Sequence, residues 1–190
     1  MSPLLVCPRR FSDSRGWFSE TFNAVRLKAY GIDVAFCQDN QSYSAQKGTL
    51  RGLHFQSPPH AQAKLVRCIR GRIFDVAVDI RRASPTFGRW VGAELSTENG
   101  KQLFVPAGYA HGFLTLEPDC EIAYKVDDYY SPECDGGISW NDPAIGIDWA
   151  SDVGAPVLSD KDGRLPPLAE MTFEFDYDGV PLEPLREVVA

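Results

Sequence analysis

Between Lys64 and Leu95 the chain reads KLVRCIRGRIFDVAVDIRRASPTFGRWVGAEL, short Val-, Ile- and Phe-rich segments of period two broken at Arg70-Gly71 and at Ser84-Pro85. Alternation of this kind sends successive side chains to opposite faces of an extended chain, and Gly and Pro at the breaks favour tight turns. The pattern returns in KQLFVPAGYAHGFLTL (101–116) and CEIAYKVDDYY (120–130). The centre of the chain therefore reads as an antiparallel meander or Greek key that closes into a barrel or double sheet, an all-β jelly roll with decorated ends. Helix is scarce. FNAVRLKAYG (22–31) predicts two to three turns closed by Gly31, and the tail after Asp142 reads mostly as loop with one short helix.

Fourteen prolines and sixteen glycines are spread along the 190 residues, with no linker, repeat or low-complexity stretch, so a single domain spanning 1–190 is expected. A chain of this length can bury a core without staples. Twenty-six Asp and Glu against nineteen Lys and Arg give a net charge of −7, the wrong sign for a protein that neutralises a phosphate backbone, so nucleic acid is not an expected partner. With 44% hydrophobic and 24% charged residues, neither disorder nor a membrane protein fits. Five scattered cysteines (Cys7, Cys37, Cys68, Cys120, Cys134) without a CxxC pair read as reduced thiols. The opening MSPLLVCPRRFSDSRG has too short an apolar stretch for a signal-peptide core, and a cytoplasmic location is expected.

Only three histidines are present, His54, His60 and His111. His54 lies in Arg51-Gly52-Leu53-His54-Phe55-Gln56, with Lys64 following. A His and a Lys on neighbouring strands could work as a neutral base and a cation for a developing oxyanion; they could equally be a core histidine and a solvated lysine. Arg51, three positions from His54, falls on the opposite face of a regular strand unless Gly52 allows a bulge. His111 sits among small residues in VPAGYAHGF, which leaves room either for a ligand or simply for a tight turn. Tyr124 could deliver a proton or pack in the core, and Tyr129-Tyr130 could stack on a base. The polar loop LSDKDG (158–163) has a solvated turn as its default. Arg15, Glu20, Gln38, Asn40 and Arg51 could bind an anion and an amide edge. No catalytic metal is expected, because the pair of histidines one residue apart that usually opens such a site in a jelly roll is missing: two positions after His54 stands Gln56.

Taken in order, DSRGWFSE (13–20), QDNQS (38–42), LRGLHFQ (50–56), AQAKLVRC (61–68), GRIFDVAVDIRRASPTFGRW (71–90), VPAGYAHGF (105–113), YKVDDYYSP (124–132), WNDPAIGIDW (140–149) and LSDKD (158–162) resemble the dTDP-4-dehydrorhamnose 3,5-epimerases over roughly residues 5 to 170. The resemblance implies a cupin-type jelly roll working as a homodimer without metal or cofactor, an isomerase that inverts two carbons of a dTDP-linked 4-keto sugar. By the same resemblance His54 is the general base, Asp162 its carboxylate partner, Lys64 the cation beside the keto oxygen and Tyr124 the acid on the other side of the ring. Arg15, Glu20, Gln38, Asp39, Asn40, Arg51, His111, Asp135 and Lys161 fall where the family contacts nucleotide diphosphate or sugar, and Tyr130 where it stacks on thymine. The family often has Glu where Asp135 stands, and 150–157 is a variable connection. The resemblance leaves two alternatives beside double inversion: an epimerase acting at C3 or C5 alone, and a non-catalytic jelly roll that only binds the sugar nucleotide.

Overall fold

The structure, a computed structural model, describes residues 1–149 and 154–190. Its strands in chain order are β1 (Leu4–Cys7), β2 (Arg10–Asp13), β3 (Gly16–Ser19), β4 (Gln38–Ser44), β5 (Leu50–Gln56), β6 (Lys64–Arg70) and β7 (Arg72–Asp79). They continue as β8 (Trp90–Ser96), β9 (Gln102–Val105), β10 (Tyr109–Thr115), β11 (Cys120–Val126), β12 (Asp135–Gly137) and β13 (Arg186–Val189). Two sheets form, one ordered β13-β1-β9-β6-β11-β4 and the other β12-β5-β10-β7-β8, with β2-β3 as a separate hairpin. Among the described residues every pairing of these strands is antiparallel except β1 with β13. This is the jelly roll that the alternation predicts. Among the described residues no helix is long and apolar enough to cross a membrane.

The alternation sorts three apolar layers. Val66 and Cys68 of β6, Leu103 and Val105 of β9, Ile122 of β11 and Ile73 and Ala77 of β7 meet between the sheets. The intervening residues point outward: Val76 and Val78 of β7 with Leu53 and Phe55 of β5 are covered by Leu168, Met171 and Phe175. On the other sheet Leu65 and Phe104 are covered by Leu27 and Ile32.

Three expectations are corrected. The helix is one short stretch, α1 (Ala24–Lys28), capped by Asn23, whose side chain accepts from the Arg26 N–H; Leu27 is its only buried residue. One apolar anchor is no stripe, and a few residues of helix hold only where packing supports them. Among the described residues the tail carries two 3-10 turns, Asp162–Arg164 and Leu168–Glu170, and no α-helix. It also carries β13, which pairs with the edge of β1 in the register Leu4 to Arg186. Of the connection 150–157, the first four residues lie outside the described ones, and Val157 bridges Thr49.

The jelly roll is open along one side, between β4 at the end of one sheet and β5-β12 at the end of the other. Polar side chains of the sequence motifs, His54, Lys64, Gln38 and Asn40 among them, gather at that opening.

Candidate active site

A cleft of about 270 Å3 opens at this gap, lined by Gln38, Asn40, His54, Gln56, Lys64 and Tyr124 with Phe55, Gln62, Tyr130, Asp135 and Lys161. The six-stranded sheet contributes Lys64, Tyr124, Gln38 and Asn40; the five-stranded sheet contributes His54, Gln56 and Asp135.

His54 reaches the cleft through a bulge. Opposite β10, His54 pairs with His111 and Arg51 with Phe113, so three residues of β5 span two of β10. Gly52 occupies the bulge with φ +131°, and a Cβ there would stand 2.6 Å from the Gly112 Cα. Only glycine fits such a conformation at such an approach. The bulge puts Arg51 and His54 on one face, which their three-residue spacing left open.

His54 Nε2 lies 2.5 Å from Asp162 Oδ1, with the imidazole 31% exposed and the carboxylate 4%. Burial works against charge on Asp162, but the hydrogen bond and charge of His54, the Ser159 hydroxyl and the Gly52 N–H outweigh it and hold the carboxyl below its usual range. An ionised Asp162 fixes the proton on Nε2 and leaves Nδ1 as the basic nitrogen. Asp162 stands on the 3-10 turn Asp162–Arg164, and its grip on both Gly52 and His54 ties that turn to the bulge.

Lys64 is 9% exposed, and among the described residues no carboxylate approaches its Nζ within ion-pair distance. Burial pushes its ammonium from 10.5 down to about 8; Asp75 and then Asp135 oppose that, and Lys161 adds to it. A buried cation facing a cleft is poised for an anion that arrives or develops there. Burial raises the Tyr124 phenol, Arg51 partly offsetting it, so the group carries its proton at neutral pH.

Tyr130 lies over the cleft, its ring exposed and its hydroxyl 3.4 Å from Asp135 Oδ2, an oxygen that Lys161 also contacts. Gln38 Nε2 donates to Asn40 Oδ1 at 2.9 Å. Asp39, between them, is turned by the strand's alternation to the outer face, where it pairs with Lys125 at 2.8 Å, and it does not join the cleft. Arg51 is not part of the cleft lining; it donates to Ser44 Oγ and the Tyr43 carbonyl, and its charge bears on the Tyr124 phenol.

Three further expected contacts, Arg15, Glu20 and His111, do not line the cleft. Arg15 sits at the exposed turn of the β2-β3 hairpin, bonded to Asp13, and Glu20 follows that hairpin beside Asn23 and Arg26. His111 lies behind His54, its Nε2 2.7 Å from Asp75 Oδ1. Asp75 is a residue that sequence reasoning missed: fully buried, with Oδ2 lacking any hydrogen-bond partner. Its signal was present, since an acid sharing the inward parity of Ile73 and Ala77 in an apolar strand is out of place in a plain core. Gln56 and Gln62 were missed as well. His60, the third histidine, pairs with Asp128 at 3.1 Å on the exposed side.

The family model described as dTDP-4-dehydrorhamnose 3,5-epimerase matches residues 2–170. A dTDP-4-dehydrorhamnose 3,5-epimerase of Sinorhizobium fredii is 57% identical over 173 residues, covering 91% of this chain and 88% of the relative. Among solved structures, a dTDP-4-dehydrorhamnose 3,5-epimerase from Bacillus anthracis with TDP and PPi bound is 51% identical with a TM-score of 0.84, covering 87% of this chain and 93% of that one. A dTDP-6-deoxy-D-glucose-3,5-epimerase from Legionella pneumophila in complex with dTDP-4-keto-L-rhamnose is 46% identical with a TM-score of 0.82, covering 93% and 91%.

Proposed function

The chain belongs to the dTDP-4-dehydrorhamnose 3,5-epimerase family, a family of isomerases, and we propose that His54, Asp162, Lys64 and Tyr124 carry out its reaction on dTDP-4-dehydro-6-deoxy-D-glucose. The observation that supports this reading is that one cleft is lined by His54 from one sheet and by Tyr124 and Lys64, on neighbouring strands, from the other.

A C–H next to a ketone becomes acidic when its electron pair can pass to the carbonyl oxygen. His54 Nδ1 takes the proton from C5; the C–H pair forms the C4–C5 double bond and the carbonyl pair moves to oxygen, where the Lys64 ammonium stabilises the enolate. Tyr124 then gives its proton to C5 from the other face, the double-bond pair forms the new C–H bond and the ketone returns. The phenolate is reprotonated by water and His54 releases its proton to solvent. The same cycle at C3 completes the conversion to dTDP-4-dehydro-L-rhamnose. Gln38, Asn40, Arg51, Tyr130, Asp135 and Lys161 bind the nucleotide and sugar around this centre; Asp39 is not among them.

The protein binds dTDP-sugars, and we infer that it does so as a homodimer. The β2-β3 hairpin exposes Phe11, Trp17 and Phe18, and Arg15 and Glu20 lie with it, outside their own cleft. A second copy seated on that hairpin would cover the aromatic rings and bring the two charges to a neighbouring cleft. Sedimentation that finds only monomer at micromolar concentration overturns the dimer. Five unpaired cysteines favour a reducing, cytoplasmic compartment.

Incubation with dTDP-4-dehydro-6-deoxy-D-glucose in deuterated water tests the reaction. Label at both C3 and C5 is expected; label at one carbon means a single-site epimerase, and none means a binding protein.

A further inference from the structure

Gln56 ends β5 two residues after His54, on the same face, and is 4% exposed. Its side chain is fully engaged. Nε2 donates to the His60 carbonyl at 2.7 Å and to the Tyr129 carbonyl at 3.1 Å, while Oε1 accepts the Ser131 N–H at 2.7 Å. Two donors and one acceptor on a planar amide match two carbonyls and one N–H drawn from two loops; a carboxylate lacks the donors, and asparagine is one methylene short. The groups held are the backbone atoms on either side of Tyr130. The other ties on Tyr130 are long, its N–H to Gln38 Oε1 and its hydroxyl to Asp135 Oδ2 both at 3.4 Å. Around the same joint, the Gln62 amide donates to the Asp128 carbonyl at 2.7 Å, and the Ser57 N–H donates to the Cys134 carbonyl at 2.8 Å.

We propose that Gln56 is a positioning residue: it anchors the Tyr129–Ser131 backbone to the strand that carries His54 and so holds the Tyr130 ring as a fixed platform for the base of the bound nucleotide. The inference rests on the placement of Tyr130 as the stacking residue. An exposed ring on an untethered loop spends part of its stacking energy on being ordered; a ring whose flanking peptides are already fixed does not. Gln56 therefore contributes to affinity for the nucleoside diphosphate through Tyr130, without touching the reacting carbons.

Titration calorimetry with dTDP on the wild type, Gln56→Ala, Tyr130→Ala and the double variant tests this. Each single change is expected to weaken dTDP about ten-fold, the worth of one stacked base, and Gln56→Ala is expected to add less than about two-fold once Tyr130 is gone. In turnover the Gln56→Ala change appears as a rise in KM larger than the fall in kcat. Gln56→Glu, which keeps the shape and the acceptor for Ser131 but loses both donors, gives the same pattern if the alanine chain does not fold. An equal Gln56 effect in both backgrounds, or a loss confined to kcat, overturns the role of Gln56. A Tyr130→Ala chain that binds dTDP as tightly as the wild type overturns the stacking placement itself, and the role of Gln56 with it.

Discussion

His54 and His111 stand directly opposite each other on β5 and β10, each with an aspartate at its Nε2. The His54 ring is 31% exposed and its Asp162 comes from a distant turn; the His111 side chain is 9% exposed and its Asp75 comes from the neighbouring strand. The pairing is the same and the surroundings are not. A histidine can take a proton from carbon only if its second nitrogen meets the substrate, so exposure to the cleft, not possession of a carboxylate, is what singles out His54 as the proposed base over His111. The charge of Asp75, in the inner pair, favours the protonated Lys64.

Substituting the outer histidine breaks this comparison most directly. His54→Ala is expected to lower kcat by about 10³-fold or more and to abolish deuterium uptake at C3 and C5, with dTDP affinity within about three-fold of wild type. Exchange that persists would remove His54 as the base. Asp162→Asn keeps the shape of the pair but no longer fixes the proton on Nε2, and a loss of about 10²-fold to 10³-fold in kcat is expected. Because the Asp162 carboxyl lies below its usual range, the stability it contributes is present above the ordinary carboxylate pKa and is lost as pH falls through the lowered one. Thermal melts of wild type and Asp162→Asn should therefore converge in acid.

The inner pair should respond the other way round. His111→Asn leaves a buried carboxylate without its partner and is expected to lower Tm by about 3–10 °C, with a fall in kcat nearer ten-fold. Deuterium exchange should continue. An exchange-dead His111→Asn that melts like the wild type would make His111 the base and reverse the comparison.

The difference between the pairs also marks how far the sequence could be read. Strand parity was open to view, and with it the fold, because period two over an apolar layer leaves little freedom in which face turns inward. Parity alone would also have sent Asp39 away from Gln38 and Asn40 and placed Asp75 inside. The bulge at Gly52 could be raised from the sequence but not decided, since it depends on Gly112 of another strand approaching within a Cβ's reach. Nor was the dyad legible as geometry: His54 and Asp162 are 108 residues apart, and only the resemblance to a family joined them. Strand β13 escaped because four residues with two charges gain their extended form from the edge of β1, a long-range partner.

The smallest expected effect is the most discriminating for Asp75. Lys64 must carry its proton to stabilise an enolate, so kcat/KM should fall as pH rises through about 8, the value to which burial brings it. The charges that bear on it from the elements around it are Asp75 on β7, Asp135 on β12 and Lys161 beyond β12, and Asp75 is the largest of those that keep the proton on. Asp75→Asn removes that support while still offering a hydrogen-bond partner to His111. The alkaline limb should therefore move below pH 8, with a loss of only a few-fold at pH 7. A general loosening of the barrel would lower activity at every pH and leave the limb where it was, whereas an upward move would mean that Asp75 does not support the Lys64 charge at all. Asp135→Asn should shift the limb in the same direction by less, because Asp135 bears on Lys64 more weakly and already meets Lys161. On the proposed mechanism, that ranking would make Asp75 of the inner pair the residue that keeps the Lys64 cation charged and the outer pair the one that moves protons.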